Sequence, residues 1–192
     1  DLKKPDTNSK EVFLTVIGVV GLGKLISIGK KEYLETLKTY ASDSRWRVRE
    51  AVAMALQRVG DQDINLLIGK MKRWAVGNLY EKRAAIAALC EPRLLNDMFI
   101  VNEVLEILNQ VTEEIKEVKN RKSEEFRVFK NALSYCWSVA VAANPEEGKV
   151  VMSKWFRSED KDVKSIMKEN LKKNRLFKMD EMWVKASLKI LE

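Results

Sequence analysis

The stretch DSRWRVREAVAMALQRVG, residues 43–60, gives the clearest structural signal in this chain of 192 residues. Apolar side chains recur in it at helical spacing, which places them on one face of a helix. These side chains are Val48, Ala51, Val52, Ala55, Leu56 and Val59. Asp43 or Ser44 is suited to cap the start of such a helix, and Gly60 is suited to end it. The stretch therefore predicts an amphipathic helix.

A related pattern returns three times downstream. The aligned segments are REAVAMAL from Arg49, KRAAIAAL from Lys82, KNALSYCW from Lys130 and KSIMKENL from Lys164. Because a second amphipathic stretch, such as 64–75 or 104–118, flanks each recurrence, the repeating unit is a helix hairpin. The first two segments start 33 residues apart and the last two start 34 residues apart. Helix hairpins that repeat at this spacing are typical of solenoids, and the chain resembles HEAT-repeat proteins of the armadillo-like superfamily over roughly residues 30–190. We therefore predict an all-α fold, an α-solenoid of HEAT-like antiparallel helix pairs, with residues 1–192 in a single domain.

The composition agrees with long helices and restricts the chemistry. Glycine and proline are scarce, with eight and three residues, which disfavours a turn-rich β fold. The formal net charge of +7 raises the expectation of an anionic partner such as duplex DNA. Histidine is absent, and this excludes Ser-His-Asp and Cys-His nucleophile systems and histidine-ligated metals. We also expect a loop at 120–123, the best candidate for a hinge.

The two cysteines and the start of the chain bear on location. Cys90 and Cys136 each lie in an apolar helical pattern, so we predict buried, reduced thiols of an intracellular protein. Residues 1–8 are mostly charged or turn-forming, so no signal peptide is expected. The longest uncharged run, Val12–Gly23, is too short to span a bilayer. We expect a cytoplasmic protein that makes no membrane contact.

The run GVVGLGK, residues 18–24, fits the first seven positions of a phosphate-binding P-loop. Leu25 stands where that motif requires Ser or Thr to hold Mg²⁺, and no alternating strands are predicted after it. Close helix packing at the glycines is the preferred interpretation, with nucleotide binding as the less favoured one.

Basic side chains concentrate near the end of the chain. Residues 161–178 contain seven Lys or Arg and two acidic residues. Four of the lysines advance by three or four residues and form one ridge of a helix: Lys161, Lys164, Lys168 and Lys172. Two interpretations stay open, a solvated helix face and a set of phosphate contacts that releases counterions from nucleic acid.

Other side chains lie off the predicted core-facing stripes and are candidates for a binding surface. On the first helix these are Trp46 and Glu50, with Arg49 on the flank of the stripe. The corresponding positions in later units hold Arg83, Arg127 and Tyr135, followed by Lys161, Lys168 and Lys172. Stacked units would align these positions into one strip with an increasingly basic end. The structural alternatives are packing of Trp46 against an adjacent hairpin and a surface ion pair for Glu50.

Two segments resemble a narrower group, the HEAT-like DNA alkylation repair superfamily, which includes alkylpurine DNA glycosylases. ASDSRWRVR, residues 41–49, looks like the family segment that leads into its arginine, so Arg49 takes that role. KNALSYCWSVAVAANP, residues 130–145, is similar to a later helix of the family, with Tyr135 at the position of its late aromatic.

The carboxylate of that family has two candidate counterparts. One repeat before Arg49, where the family has an aromatic and an Asp, this chain offers Glu11 and Phe13. In a second register, which is less favoured because it covers less of the sequence, Trp46 and Glu50 stand for the aromatic and the carboxylate, and Arg83 stands for the arginine.

The resemblance implies a specific chemistry. A purine alkylated at N3 or N7 is cationic, so an aromatic face attracts it, and a carboxylate, Glu50 or Glu11, stabilises the developing oxocarbenium sugar. Arg49 would hold a phosphate, and no metal or organic cofactor is implied. Two functions remain open: a DNA-binding solenoid of the alkylation-repair type, with or without glycosylase activity, and a non-enzymatic protein–protein interaction scaffold that selects an acidic partner.

Overall fold

The computed structural model describes residues 9–192, and within them it contains eleven α-helices and no strand. The helices are α1 (Lys10–Ser27), α2 (Tyr33–Ala41), α3 (Trp46–Gln62), α4 (Ile64–Trp74), α5 (Leu79–Leu89), α6 (Met98–Glu113), α7 (Glu124–Ala143), α8 (Pro145–Ser153), α9 (Lys161–Leu171), α10 (Asn174–Met179) and α11 (Glu181–Leu191). Short 3₁₀ turns lie at Pro92–Leu94, Glu114–Glu117 and Lys154–Arg157. The all-α prediction is confirmed.

The helices pack in two sets. Helices α1, α3, α5, α7 and α9 follow one another side by side, and we call them the front layer. Helices α2, α4, α6 and α8 pack against them and form the back layer. Buried apolar side chains from Val12 to Leu191 belong to one continuous cluster between these elements. The candidate binding and catalytic residues of the sequence analysis lie on front-layer helices, except Lys172, which is the C-terminal capping residue of α9.

Helix α3 confirms the hydrophobic pattern but not its predicted ends. The side chains of Asp43 and Ser44 do not cap it, because the helix begins after Arg45 and has no side-chain cap. Asp43 instead accepts hydrogen bonds from the backbone N–H and the guanidinium of Arg45, at 2.8 and 2.9 Å. Gly60 lies inside the helix, and a Cβ there would be 2.7 Å from a methyl carbon of Leu67. That glycine serves packing, and α3 continues to Gln62.

The P-loop-like run is helical throughout, since residues 18–24 lie within α1. A Cβ on Gly23 would be 2.4 Å from the carbonyl oxygen of Ala55, so the backbones of α1 and α3 approach closely at this glycine. Helix packing is therefore confirmed at Gly23. It does not explain Gly18 and Gly21, because a Cβ at either position would meet no atom within 4 Å.

Polar contacts fix the last front-layer helices relative to each other. The buried amide of Asn170 on α9 accepts from the backbone N–H of Ser138 at 2.8 Å and donates to the carbonyl oxygen of Leu133 at 2.8 Å. The predicted loop at 120–123 precedes α7, and Arg121 within it forms ion pairs with Asp160 and Asp162 at the start of α9. These contacts hold α7 and α9 in a defined relation.

Two smaller findings complete the fold. Cys90 and Cys136 are both buried, as predicted. Among residues 9–192, no helix combines the length and apolar character needed to cross a membrane.

Candidate functional site

The front layer carries a first hollow between α1 and α3, with a volume of about 480 Å³. Its lining residues are Ser9, Lys10, Phe13, Val16, Trp46, Arg47, Glu50 and Met54. Phe13, Trp46 and Met54 each expose close to half or more of their surface. The first hollow is thus a largely apolar surface with charged side chains at its edge.

Trp46 provides the main aromatic face of this hollow. It is the first residue of α3 and is 50 % exposed, so it does not pack into an adjacent hairpin. The guanidinium of Arg47 lies 4.5 Å from the centroid of its ring, within the range of a cation–π contact. The ring is therefore available to a ligand and already has a cation beside it.

A second hollow of about 300 Å³ adjoins the first, because Trp46 and Glu50 border both. Its lining residues are Trp46, Arg49, Glu50, Arg83, Val128, Asn131 and Ala132, from α3, α5 and α7. Glu50 forms an ion pair with Arg83, which also donates to the carbonyl oxygen of Arg49 at 2.9 Å. The structure thus brings together the three residues of the second family register, with the carboxylate already neutralised by the arginine.

Arg49 is held by contacts inside the protein. Its guanidinium donates to the carbonyl oxygens of Asp43 and Ser44 at 2.7 and 3.0 Å and pairs with Glu124 of α7 at 3.2 Å. The same group lies 5.0 Å from the centroid of the Tyr80 ring. Only 3 % of Arg49 is exposed, so its principal role is to join α3 to α5 and α7.

Tyr135 lines a third hollow, of about 250 Å³, which it shares with Glu50 and Arg83. The remaining lining residues are Gln57, Ala87, Cys90, Glu91, Pro92, Ala132 and Cys136. Tyr135 is 44 % exposed, and Arg175 of α10 lies over its ring at 4.7 Å and donates to its hydroxyl oxygen at 2.5 Å. Arg49 does not line this hollow. Arg49 and Tyr135 therefore lie in different hollows, although Glu50 and Arg83 line both of them.

Two further candidates lie beside the hollows. Glu11 is exposed in the first turn of α1 and lines none of the three hollows. A hydrogen bond with the side chain of Ser9 lowers the pKa of Glu11. Arg127 is exposed on α7, one turn before Asn131, and so lies on the stripe that leads to Tyr135.

The lysine ridge exists as predicted and borders a shallow groove of about 270 Å³. The groove is lined by Lys161, Lys164, Ser165, Lys168, Glu169 and Lys172. The apolar side chains of α9, among them Val163 and Ile166, are buried, which leaves the lysines on the outer stripe of the helix. Lys172 pairs with Glu169 at 2.6 Å, and this hydrogen bond lowers the pKa of Glu169. Four cations and one carboxylate give this surface a positive balance.

Comparison with known proteins yields no relative: no family model, curated protein or solved structure matches the chain.

The sequence did not single out Arg175, Phe13 or Met54 as members of one surface with Trp46 and Tyr135. Phe13 and Met54 lie on two helices that approach each other through Gly23, a contact that a single helical wheel cannot show. Arg175 lies beyond the end of α9 and reaches a tyrosine 40 positions earlier in the chain.

Proposed function

We propose that the chain is an α-solenoid of HEAT-like helix pairs that binds duplex DNA through its front layer, in the manner of the alkylation-repair superfamily that its sequence resembles. The side-by-side order of α1, α3, α5, α7 and α9 supports the solenoid arrangement. The observation that carries the DNA proposal is the lysine ridge along one groove of α9, which we also call the lysine row. We further propose a cytoplasmic location, on the basis of two buried thiols.

The lysine row is suited to phosphates for an electrostatic reason. Duplex DNA carries condensed counterions, and each phosphate neutralised by a protein cation releases some of them. Each such contact adds a slope of about −0.9 to the dependence of log K on log salt concentration. Lys161, Lys164, Lys168 and Lys172 together predict a slope of about −3 to −4 from α9 alone.

Charge reversal on α9 tests the proposal. In the double variant Lys168→Glu, Lys172→Glu, two contacts are lost, so affinity for arbitrary duplexes should fall by at least about 60-fold at 0.1 M salt. The matched control is Lys72→Glu, Arg73→Glu on the back-layer helix α4, which changes the net charge equally and also breaks one ion pair, between Lys72 and Glu103. Equal affinity of the parent and the α9 variant at every salt concentration would reduce the lysine row to a solvated face.

The narrower form of the proposal is excision of cationic alkylated purines. It is supported by an exposed aromatic face, Trp46, beside a carboxylate, Glu50, in one hollow. Because Arg83 already pairs with that carboxylate, its ability to stabilise a developing cation is reduced, and we expect little or no turnover.

Release of methylated bases from alkylated duplex DNA separates binding from catalysis. The parent is compared with Glu50→Gln and Glu11→Gln, each of which keeps the size of the side chain and removes its charge. Equal release by all three proteins would remove both carboxylates from the mechanism. No release by the parent, under conditions in which it binds the duplex, would leave a DNA-binding protein without the enzyme activity.

The second candidate is a non-enzymatic scaffold for protein–protein interactions. The apolar lining of the first hollow, with Phe13, Trp46 and Met54 exposed together, favours it. The lysine groove of α9, on the same layer of helices, would select an acidic partner. Lack of duplex binding at low salt would favour the scaffold over the DNA-binding function.

A further inference from the structure

We propose that Arg175, held over the ring of Tyr135, contacts a backbone phosphate and joins the lysine row of α9 to the third hollow in one continuous path for a DNA strand. The inference rests on the proposed DNA-binding function and extends it to a residue outside the lysine ridge. Arg175 is a binding residue in this account, and Tyr135 positions it.

The contacts of Arg175 leave its charge available. Its guanidinium donates one N–H to the hydroxyl oxygen of Tyr135 at 2.5 Å, and its carbon lies 4.7 Å from the centroid of the tyrosine ring. Among residues 9–192, no carboxylate forms an ion pair with it. A guanidinium has five N–H donors, so the fork keeps donors for a phosphate while the ring fixes its plane.

The position of Arg175 connects two surfaces that are otherwise separate. Lys172, the last lysine of the row, is three residues earlier, so their Cα atoms are at most about 11 Å apart. Tyr135, which the guanidinium covers, lines the third hollow together with Arg83 and Glu50.

Buried hydrogen bonds hold the two helices of this junction together. Asn170 is fully buried and bonds α9 to the backbone of α7 on both sides of Tyr135, at Leu133 and Ser138. Asn170 fixes the lysine row and Tyr135 relative to each other, and Tyr135 holds the guanidinium of Arg175. The guanidinium is therefore already in place when a strand binds. Preorganisation of this kind lowers the entropic cost of binding.

The test is the salt dependence of binding of an arbitrary duplex, measured by fluorescence anisotropy. Arg175→Gln should reduce the slope of log K against log salt by about 0.9 and weaken binding about eight-fold at 0.1 M salt, with the lines of parent and variant meeting near 1 M. Arg175→Met, which can still pack on the tyrosine ring, should show the same loss. Arg175→Lys keeps the charge and should retain the slope.

The control is Arg73→Gln on α4 in the back layer, which should leave both slope and affinity unchanged. A parental slope in both Arg175→Gln and Arg175→Met would overturn the inference while leaving the DNA-binding proposal intact. The same holds if Arg175→Lys loses as much slope as they do, because the effect would then not be one of charge. Failure of the parent itself to bind the duplex would instead remove the proposed function.

Discussion

The close approach of α1 and α3 at Gly23 makes a prediction that can be worked through from the structure. In Gly23→Ala, the new Cβ would lie 2.4 Å from the carbonyl oxygen of Ala55 and 2.7 Å from its Cα. The two helices would have to separate by roughly 1 Å to reach a normal contact distance of about 3.5 Å. No rotamer change relieves this clash, because the atoms it meets belong to the backbone of α3.

The expected magnitude is a difference between two effects. Overpacking of this kind costs about 1–3 kcal/mol, while replacing a glycine inside a helix contributes about 0.5–1 kcal/mol of stability. Gly21→Ala on the same helix gains only the second effect, because a Cβ there meets no atom within 4 Å. The free energy of unfolding of Gly23→Ala should therefore be about 1–3 kcal/mol below that of Gly21→Ala.

Urea denaturation followed by circular dichroism measures this difference directly. Gly18→Ala serves as a second reference, since that position is also open. If Gly23→Ala were as stable as Gly21→Ala and Gly18→Ala, the packing of α1 on α3 described above would be wrong.

Two further predictions concern the junction of α7 and α9. Asn170→Ala removes the side-chain acceptor of the buried N–H of Ser138 and the donor to the carbonyl oxygen of Leu133, so it should lower the free energy of unfolding by about 2–4 kcal/mol. The exposed Asn131→Ala should change it by less than about 0.5 kcal/mol. A small effect of Asn170→Ala in urea denaturation would contradict the anchoring role. The hydrogen bond from Arg121 lowers the pKa of Asp160 below its ordinary value. The stability that this ionised carboxylate contributes is therefore present above the ordinary pKa and is lost as the pH falls through the lowered pKa. Asp160→Asn keeps the helix cap, so it should reduce the melting temperature at neutral pH and flatten the decline of the melting temperature in acid. An unchanged dependence of the melting temperature on acid pH would show that this carboxylate is not a source of the pH dependence.

The sequence was sufficient to predict the helices because periodic burial is a local property. The apolar stripe of α3, from Val48 to Val59, is buried as its spacing predicted, and the lysine ridge of α9 is on the outer stripe of its helix. The ends of α3 were predicted less well. Gly60 has the residue type of a helix terminus, but its role is set by Leu67 and Leu94, which approach it from other elements.

The candidate site could be predicted only in part, for a related reason. Helical spacing indicated that Trp46, Glu50 and Arg83 lie off the core, and they do meet in one hollow. Arg49 was placed on the flank of the same stripe, yet it is buried, because backbone carbonyls and Glu124 on another helix accept its donors. Contacts between helices decide such cases, and a single helix pattern does not contain them.

The glycosylase resemblance depends most on where its carboxylate lies. Glu11 is on the first turn of α1 and outside the hollows, whereas Glu50 lies between the first and second hollows beside Trp46. For the proposed excision of alkylated purines, Glu50 is therefore the better placed of the two carboxylates. In that proposal, glutamate in place of the family's aspartate displaces the charge by on the order of an ångström, and we expect this to reduce catalysis while binding persists.

The most direct test of DNA binding is the affinity of the unmodified protein for two duplexes of unrelated sequence, measured across a range of salt concentrations. We predict similar affinities for both duplexes, and a straight decline of log K with log salt at a slope of about −3 or steeper, because in this proposal the lysine row neutralises several phosphates regardless of base sequence. Absence of binding to either duplex at low salt, or binding that does not change with salt, would contradict the account.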